Sequence, residues 1–84
     1  MMSDLREALA DLEHDRWSRW MLYMFSCGTV NDDSTWTMPA EKVAHWTRQM
    51  TTVYSDLSEH EKDSDRKEAD HTLAVISRPR GMAR

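Results

Sequence analysis

The stretch Leu57-Ser58-Glu59-His60-Glu61-Lys62-Asp63-Ser64-Asp65-Arg66 decides the fold. Ser58 with Glu61 three residues later is a capping box. The hydroxyl takes an amide of the first turn, and the glutamate returns to the amide of the cap. Leu57 stands where it staples the entry. A helix is therefore expected from Glu59 to about Ser77, ending before Arg78-Pro79, because the residue ahead of a proline avoids helical backbone. Its apolar stripe is thin: Ala69, Leu73 and Ile76.

Moving back from this helix, Tyr54-Ser55-Asp56-Leu57 reads as its approach. Before that, Ala40, Val43, Trp46, Thr47 and Met50 recur at helical spacing. A second helix is expected from Pro39, which suits a first turn, to about Thr52. Residues 28–38 are turn-rich, with Gly28-Thr29-Val30-Asn31-Asp32-Asp33-Ser34-Thr35 at their head. They form a loop or a short hairpin that carries the apolar Trp36 and Met38. The first helix runs from about Ser3 to Phe25, with Ser3 or Asp4 as cap. Leu5, Ala8, Leu9 and Leu12 form one apolar group, and Trp17, Trp20, Met21 and Met24 form a second, slightly rotated from the first. Gly28 is expected to stop this helix. The fold class is all-α: a small three-helix domain over residues 1–77, followed by a disordered basic tail over 78–84.

With 84 residues the chain holds one domain, near the size at which a single core is marginal. Its one cysteine, Cys27, rules out a disulfide framework and a four-cysteine zinc site. The amino terminus turns acidic at once, unlike a signal peptide, and no apolar run reaches the length of a membrane span. A cytoplasmic protein is expected, with no membrane partner. Net charge is −4, and Arg78, Arg80 and Arg84 hide a body three charges more acidic. Such a surface does not suit duplex nucleic acid.

Four tryptophans, Trp17, Trp20, Trp36 and Trp46, stand beside one phenylalanine. Each fills a core well, yet four in so short a chain implies that at least one faces a ligand or another subunit. On the third helix Lys62 and Arg66 lie four apart, so two cations share a face. Either Glu13 or Asp15 of the first helix answers them, or a phosphate does. His14 lies three residues before Trp17, where it either orients a ligand or closes a helix contact. Catalytic and metal signals are poor. The four histidines show no ligand spacing, Cys27 has no nucleophile signature, and no glycine-rich phosphate loop exists. Neither an enzyme nor a bound cofactor or metal is expected.

Two blocks carry a resemblance. Glu13-His14-Asp15-Arg16-Trp17, and then Tyr54-Ser55-Asp56-Leu57-Ser58-Glu59-His60-Glu61-Lys62-Asp63-Ser64-Asp65-Arg66, resemble the RyR domain. This small module is named for the ryanodine receptors and is also found free-standing in bacteria and phages. The family pattern looks like His14 and Trp17, then Tyr54, Leu57, Ser58, Glu61, Lys62 and Arg66. The likeness spans about Leu12 to Ile76 and is strong only in those blocks. Cys27-Gly28-Thr29 replaces the family's Gly-Trp step, with Trp36 as stand-in, and a His-Pro step ahead of the tyrosine is missing. The short chain, rich in Trp and Met, is also similar in style to compact proteins of tailed phages.

The resemblance implies binding of a nucleotide-derived small molecule. In a phage, such a binder suits an anti-defence sponge that sequesters a host immune nucleotide signal in the bacterial cytoplasm. The expected ligand site is Trp17, Trp20 or Trp36 facing Lys62 and Arg66, with His14 and Tyr54 orienting the ligand. The alternative is a phage-encoded adaptor or inhibitor that docks on a host protein. A homodimer is expected in either case, because the thin stripe of the third helix cannot cover the Trp-rich faces of the other two. The competing arrangement folds Trp36 and Met38 over the gap in a single chain.

Overall fold

A computed structural model describes residues 2–78. Three helices dominate, as expected: α1 (Met2–Ser26), α2 (Ala40–Met50) and α3 (Glu59–Ser77). Between α1 and α2 lies a two-stranded hairpin, β1 (Thr29–Val30) and β2 (Trp36–Thr37), with Thr29 opposite Thr37 and Val30 opposite Trp36. A turn of 3-10 helix, Tyr54–Asp56, leads into α3. The expected tail falls, beyond Arg78, outside the described residues.

Local chemistry sets the boundaries. The Cys27 amide donates to Met24 O at 3.0 Å where α1 ends. Gly28 follows for want of room, since a Cβ there would meet the Trp36 ring and the Thr37 carbonyl. In the hairpin turn Asn31 Nδ2 donates to Thr35 Oγ1 and Thr37 Oγ1, at 3.0 and 2.9 Å. Asp33 Oδ1 accepts from the Thr35 hydroxyl and amide at 2.6 and 3.1 Å, and both hold its carboxyl below the usual range. Pro39 caps α2 from just outside it, with its carbonyl accepting from Lys42 and Val43. At the far end the Thr51 and Thr52 hydroxyls take the carbonyls of Thr47 and Arg48, which closes the helix.

The capping box forms as expected. Glu61 N donates to Ser58 Oγ at 3.2 Å, and Ser58 N returns to Glu61 Oε1 at 3.1 Å. The other oxygen, Oε2, accepts from Arg48 Nη2 at 2.9 Å. One carboxylate thus starts α3 and ties α2 to it.

Helices α1 and α3 pack against each other. Arg19 grips both oxygens of Glu68 at 3.1 Å, and Arg16 reaches Glu68 Oε1 at 3.3 Å and Thr72 Oγ1 at 3.4 Å. A step back along α1 is a step forward along α3, so the two run antiparallel. The face that α3 turns to α1 therefore carries Glu68 and Thr72. The expected core stripe lies one residue on, about 100° around the helix. Leu73 and Ile76 are 58% and 44% exposed, which corrects the expectation that they form the core side. The physical reason is that Arg16 and Arg19 need a carboxylate opposite them, and Glu68 supplies it.

Helix α2 joins the others through side chains more than through close backbone packing. Trp46 meets Trp20 and Tyr23 of α1, with ring centroids 5.4 and 6.4 Å away. No apolar side chain among the described residues is buried, and the one buried polar residue is Glu61.

Candidate functional site

A cleft of about 1130 Å³ lies between the three helices. Trp17, Trp20 and Tyr23 of α1 and Trp46 of α2 give it aromatic faces. Arg16, Arg19 and Arg48 bring guanidinium groups, and Asp56, Asp65 and Glu68 bring carboxylates. The rings form a cluster: Trp20 and Tyr23 stand 5.4 Å apart and tilted, and Trp20 meets Trp46 edge to face. A second, smaller cleft of about 450 Å³ shares Trp20 and Trp46 and continues to Met50, Tyr54 and Leu57.

The cations of the large cleft are held by protein carboxylates. Glu68 binds Arg19 and Arg16, and the Arg19 hydrogen bond above all holds its carboxyl below the usual range. Glu13 also lies 3.2 Å from Arg16, and Asp15 lies 3.3 Å from Arg19. Across the cleft, Arg48 and the Ser58 amide hold the Glu61 carboxyl low, and His45 Nε2 stands 4.0 Å from it. The arginines are thus preset in direction by the carboxylates that hold them.

The expected site residues divide. Trp17 and Trp20 line the large cleft, and Trp20 also lines the small one with Tyr54. His14 stacks on Trp17, with centroids 6.0 Å apart and planes 24° apart, so it braces that ring from its own helix. Trp36 turns elsewhere. Its ring meets Phe25 edge to face at 5.8 Å, and its Nε1 donates to the Phe25 carbonyl at 3.3 Å. Trp36 and Met38 are half-buried, and Trp36 closes the end of α1, not the gap between the helices.

Lys62 and Arg66 line neither cleft. Their charges are answered within α3, a solution that differs from both alternatives drawn from the sequence. Lys62 lies 3.6 Å from Glu59 and sits over the Tyr54 ring at 5.7 Å. Arg66 binds Glu59 at 3.1 Å and Asp63 at 2.8 Å, which raises its own basicity and lowers that of Glu59. Glu13 and Asp15 instead serve Arg16 and Arg19. The structure therefore does not bring Lys62 and Arg66 opposite the tryptophans.

Arg16, Arg19 and Arg48 were not singled out from the sequence. Arg16, Arg19 and Trp20 fall on one side of α1 by helical spacing, which was a usable signal. Arg48 had none, since it reaches the cleft only once α2 has docked. Among the described residues no group of three or more His, Cys, Asp or Glu could hold a metal ion, and no helix is long and apolar enough to cross a membrane. Compared with known proteins, the chain matches no family model, no curated protein and no solved structure.

Proposed function

We propose that the chain binds a nucleotide-derived small molecule in the cleft between α1, α2 and α3, without catalysing a reaction. The observation that carries this reading is one cleft lined by Trp17, Trp20, Trp46 and three arginines. A base has an aromatic face to stack on, worth about 1–3 kcal/mol per base where that contact forms. A ribose diol has carboxylates to donate to at Asp56, Asp65 or Glu68. A phosphate would share the guanidinium groups of Arg16, Arg19 and Arg48 with the carboxylates that already hold them. The likeness of the His14–Trp17 and Tyr54–Arg66 blocks to the RyR domain supports the same reading. A phage member of that kind acts in the bacterial cytoplasm as a sponge for a host immune nucleotide signal, and as a homodimer.

A thermal-shift series with mono-, di- and cyclic nucleotides tests this. Stabilisation should grow with ligand concentration by mass action. No shift at millimolar nucleotide would sink the binding reading. Product formation with turnover would sink its non-enzymatic part.

A second reading is that of a phage-encoded adaptor or inhibitor docking on a host protein. Met50, which also lines the smaller cleft, and Val43 leave apolar surface exposed on α2, at 77% and 48%, and methionine adapts to varied partners. A pull-down from host lysate separates the two. Loss of one defined partner on Met50→Glu, with no nucleotide effect on melting, favours the adaptor.

A further inference from the structure

We infer that the wall shared by the two clefts holds a weakly hydrated organic cation, such as an N-alkylated base or a quaternary ammonium group. Asp65 is its counter-charge, and Trp20 and Trp46 are its aromatic faces. The inference goes beyond the nucleotide reading: it fixes the charge of the group that enters the cleft and needs no phosphate.

The charges of the clefts decide the sign. Five carboxylates and three guanidinium groups line the large cleft, so with its histidines neutral it is negative by two charges. All three guanidinium groups are answered. Arg16 and Arg19 meet Glu13, Asp15 and Glu68, and Arg48 meets Glu61. Asp56 and Asp65 are left over. Among the described residues neither of these two carboxylates has a hydrogen bond or an ion pair. Asp65 is also the one charged residue that lines the small cleft. Its neighbours Lys62 and Arg66 are engaged by Glu59 and Asp63 and line neither cleft. A negative cleft in a chain of net charge −4 draws positive ligands.

Four residues line both clefts: Trp20, Trp46, Gln49 and Asp65. The two rings stand 64° apart, so they make a corner and not a slot. Parallel rings suit a flat neutral base. Crossed rings offer faces in two directions, and each face carries the negative side of the ring quadrupole, which attracts a cation within about 6 Å of its centre. The chain already makes such a contact at Tyr54, which lines the small cleft: Lys62 Nζ stands 5.7 Å from the centre of its ring. A hard metal ion fits less well. It takes several oxygen ligands at short range, and among the described residues no group of three or more His, Cys, Asp or Glu could hold one. An organic cation needs only ring faces and one counter-charge.

An NMR titration of the full chain at pH 7 tests this, with the indole N–H signals as readout. The probes are 1-methyladenosine, which is positively charged at that pH, its neutral isomer N6-methyladenosine, and tetramethylammonium chloride. The charged nucleoside should shift the signals of Trp20 and Trp46, leave that of Trp36 in place, and bind about tenfold more tightly than its isomer. Tetramethylammonium at millimolar concentration should shift the same two signals, and sodium chloride at equal concentration should not. Asp65→Asn should cut the preference to about threefold or less with the circular dichroism unchanged, because an exposed carboxylate without partners carries little stability. The hairpin-tip control Asp32→Asn should keep the full preference. Equal affinity of the two isomers, with no response to tetramethylammonium, would overturn the inference and leave the nucleotide reading standing. A preference that survives Asp65→Asn would overturn it as well. A response to tetramethylammonium with none to either nucleoside would support the inference and count against the nucleotide reading. Silence of all three probes would overturn the inference.

Discussion

Trp20 of α1 and Trp46 of α2 meet edge to face with ring centroids 5.4 Å apart, and both rings line the large cleft. Helix α2 has little backbone packing to hold it otherwise. Trp46→Ala should therefore free α2 and cost roughly 2 kcal/mol, since it removes two ring pairs at about 0.5–1.5 kcal/mol each with some area burial. Urea unfolding at fixed protein concentration measures this. Trp46→Phe should keep most of the stability, and Trp46→Ala should lose any nucleotide-induced shift in melting.

Acid should loosen the arrangement from both sides of the cleft. Arg48 and the Ser58 amide depress the Glu61 carboxyl, and Arg19 depresses that of Glu68. Both groups bind protons more weakly when folded than when unfolded, so stability rises with pH through the carboxylate range. It is complete above the unfolded value of about 4.3 and is lost as pH falls through the lower folded values. Urea midpoints between pH 7 and pH 3 should follow that course. Glu61→Gln with Glu68→Gln should lower the neutral plateau and flatten the acid limb, and an unchanged limb would refute the assignment.

Gly28→Ala should push Trp36 off its seat. The added methyl meets the indole ring and the Thr37 carbonyl, and overpacking of this kind costs about 1–3 kcal/mol. Tryptophan fluorescence should shift to the red as the Phe25 contact opens. Circular dichroism should show the helices little changed, because the clash lies in the hairpin.

Ser58→Ala should cost about 1 kcal/mol by removing the hydroxyl that takes the Glu61 amide. Ser58→Asp should restore much of it, as aspartate caps well. A neutral result for Ser58→Ala would mean that the Ser58 backbone and Glu61 alone carry the cap.

How far the sequence could be read follows from distance along the chain. Ser58 and Glu61 lie within one turn, so their pairing and the start of α3 were legible. So was the hairpin alternative for residues 28–38, where Asn31, Asp33 and Thr35 bond locally. The rotation of α3 was not. Periodicity marks Ala69, Leu73 and Ile76 as apolar, but the choice of face belongs to Arg16 and Arg19, some fifty residues earlier. The cleft was half legible for the same reason: Trp17 and Trp20 announce themselves by type, while Arg48 gains its place through Glu61 across the Thr51–Leu57 segment. Lys62 and Arg66 look like a cationic pair awaiting an anion because they lie four apart on one face, yet Glu59 and Asp63 stand within a turn or two of them and answer both charges inside α3.

The two oxygens of Glu61 divide their work, Oε1 to the Ser58 amide and Oε2 to Arg48. Release of α2 therefore leaves that carboxylate with a thinner set of donors, and fraying of the first turn of α3 leaves Arg48 without its anchor. The two events belong to one cooperative opening unit. In hydrogen exchange, the amides of Ser58 and Glu61 should show protection factors that rise and fall with those of α2, although the two segments share no regular backbone ladder.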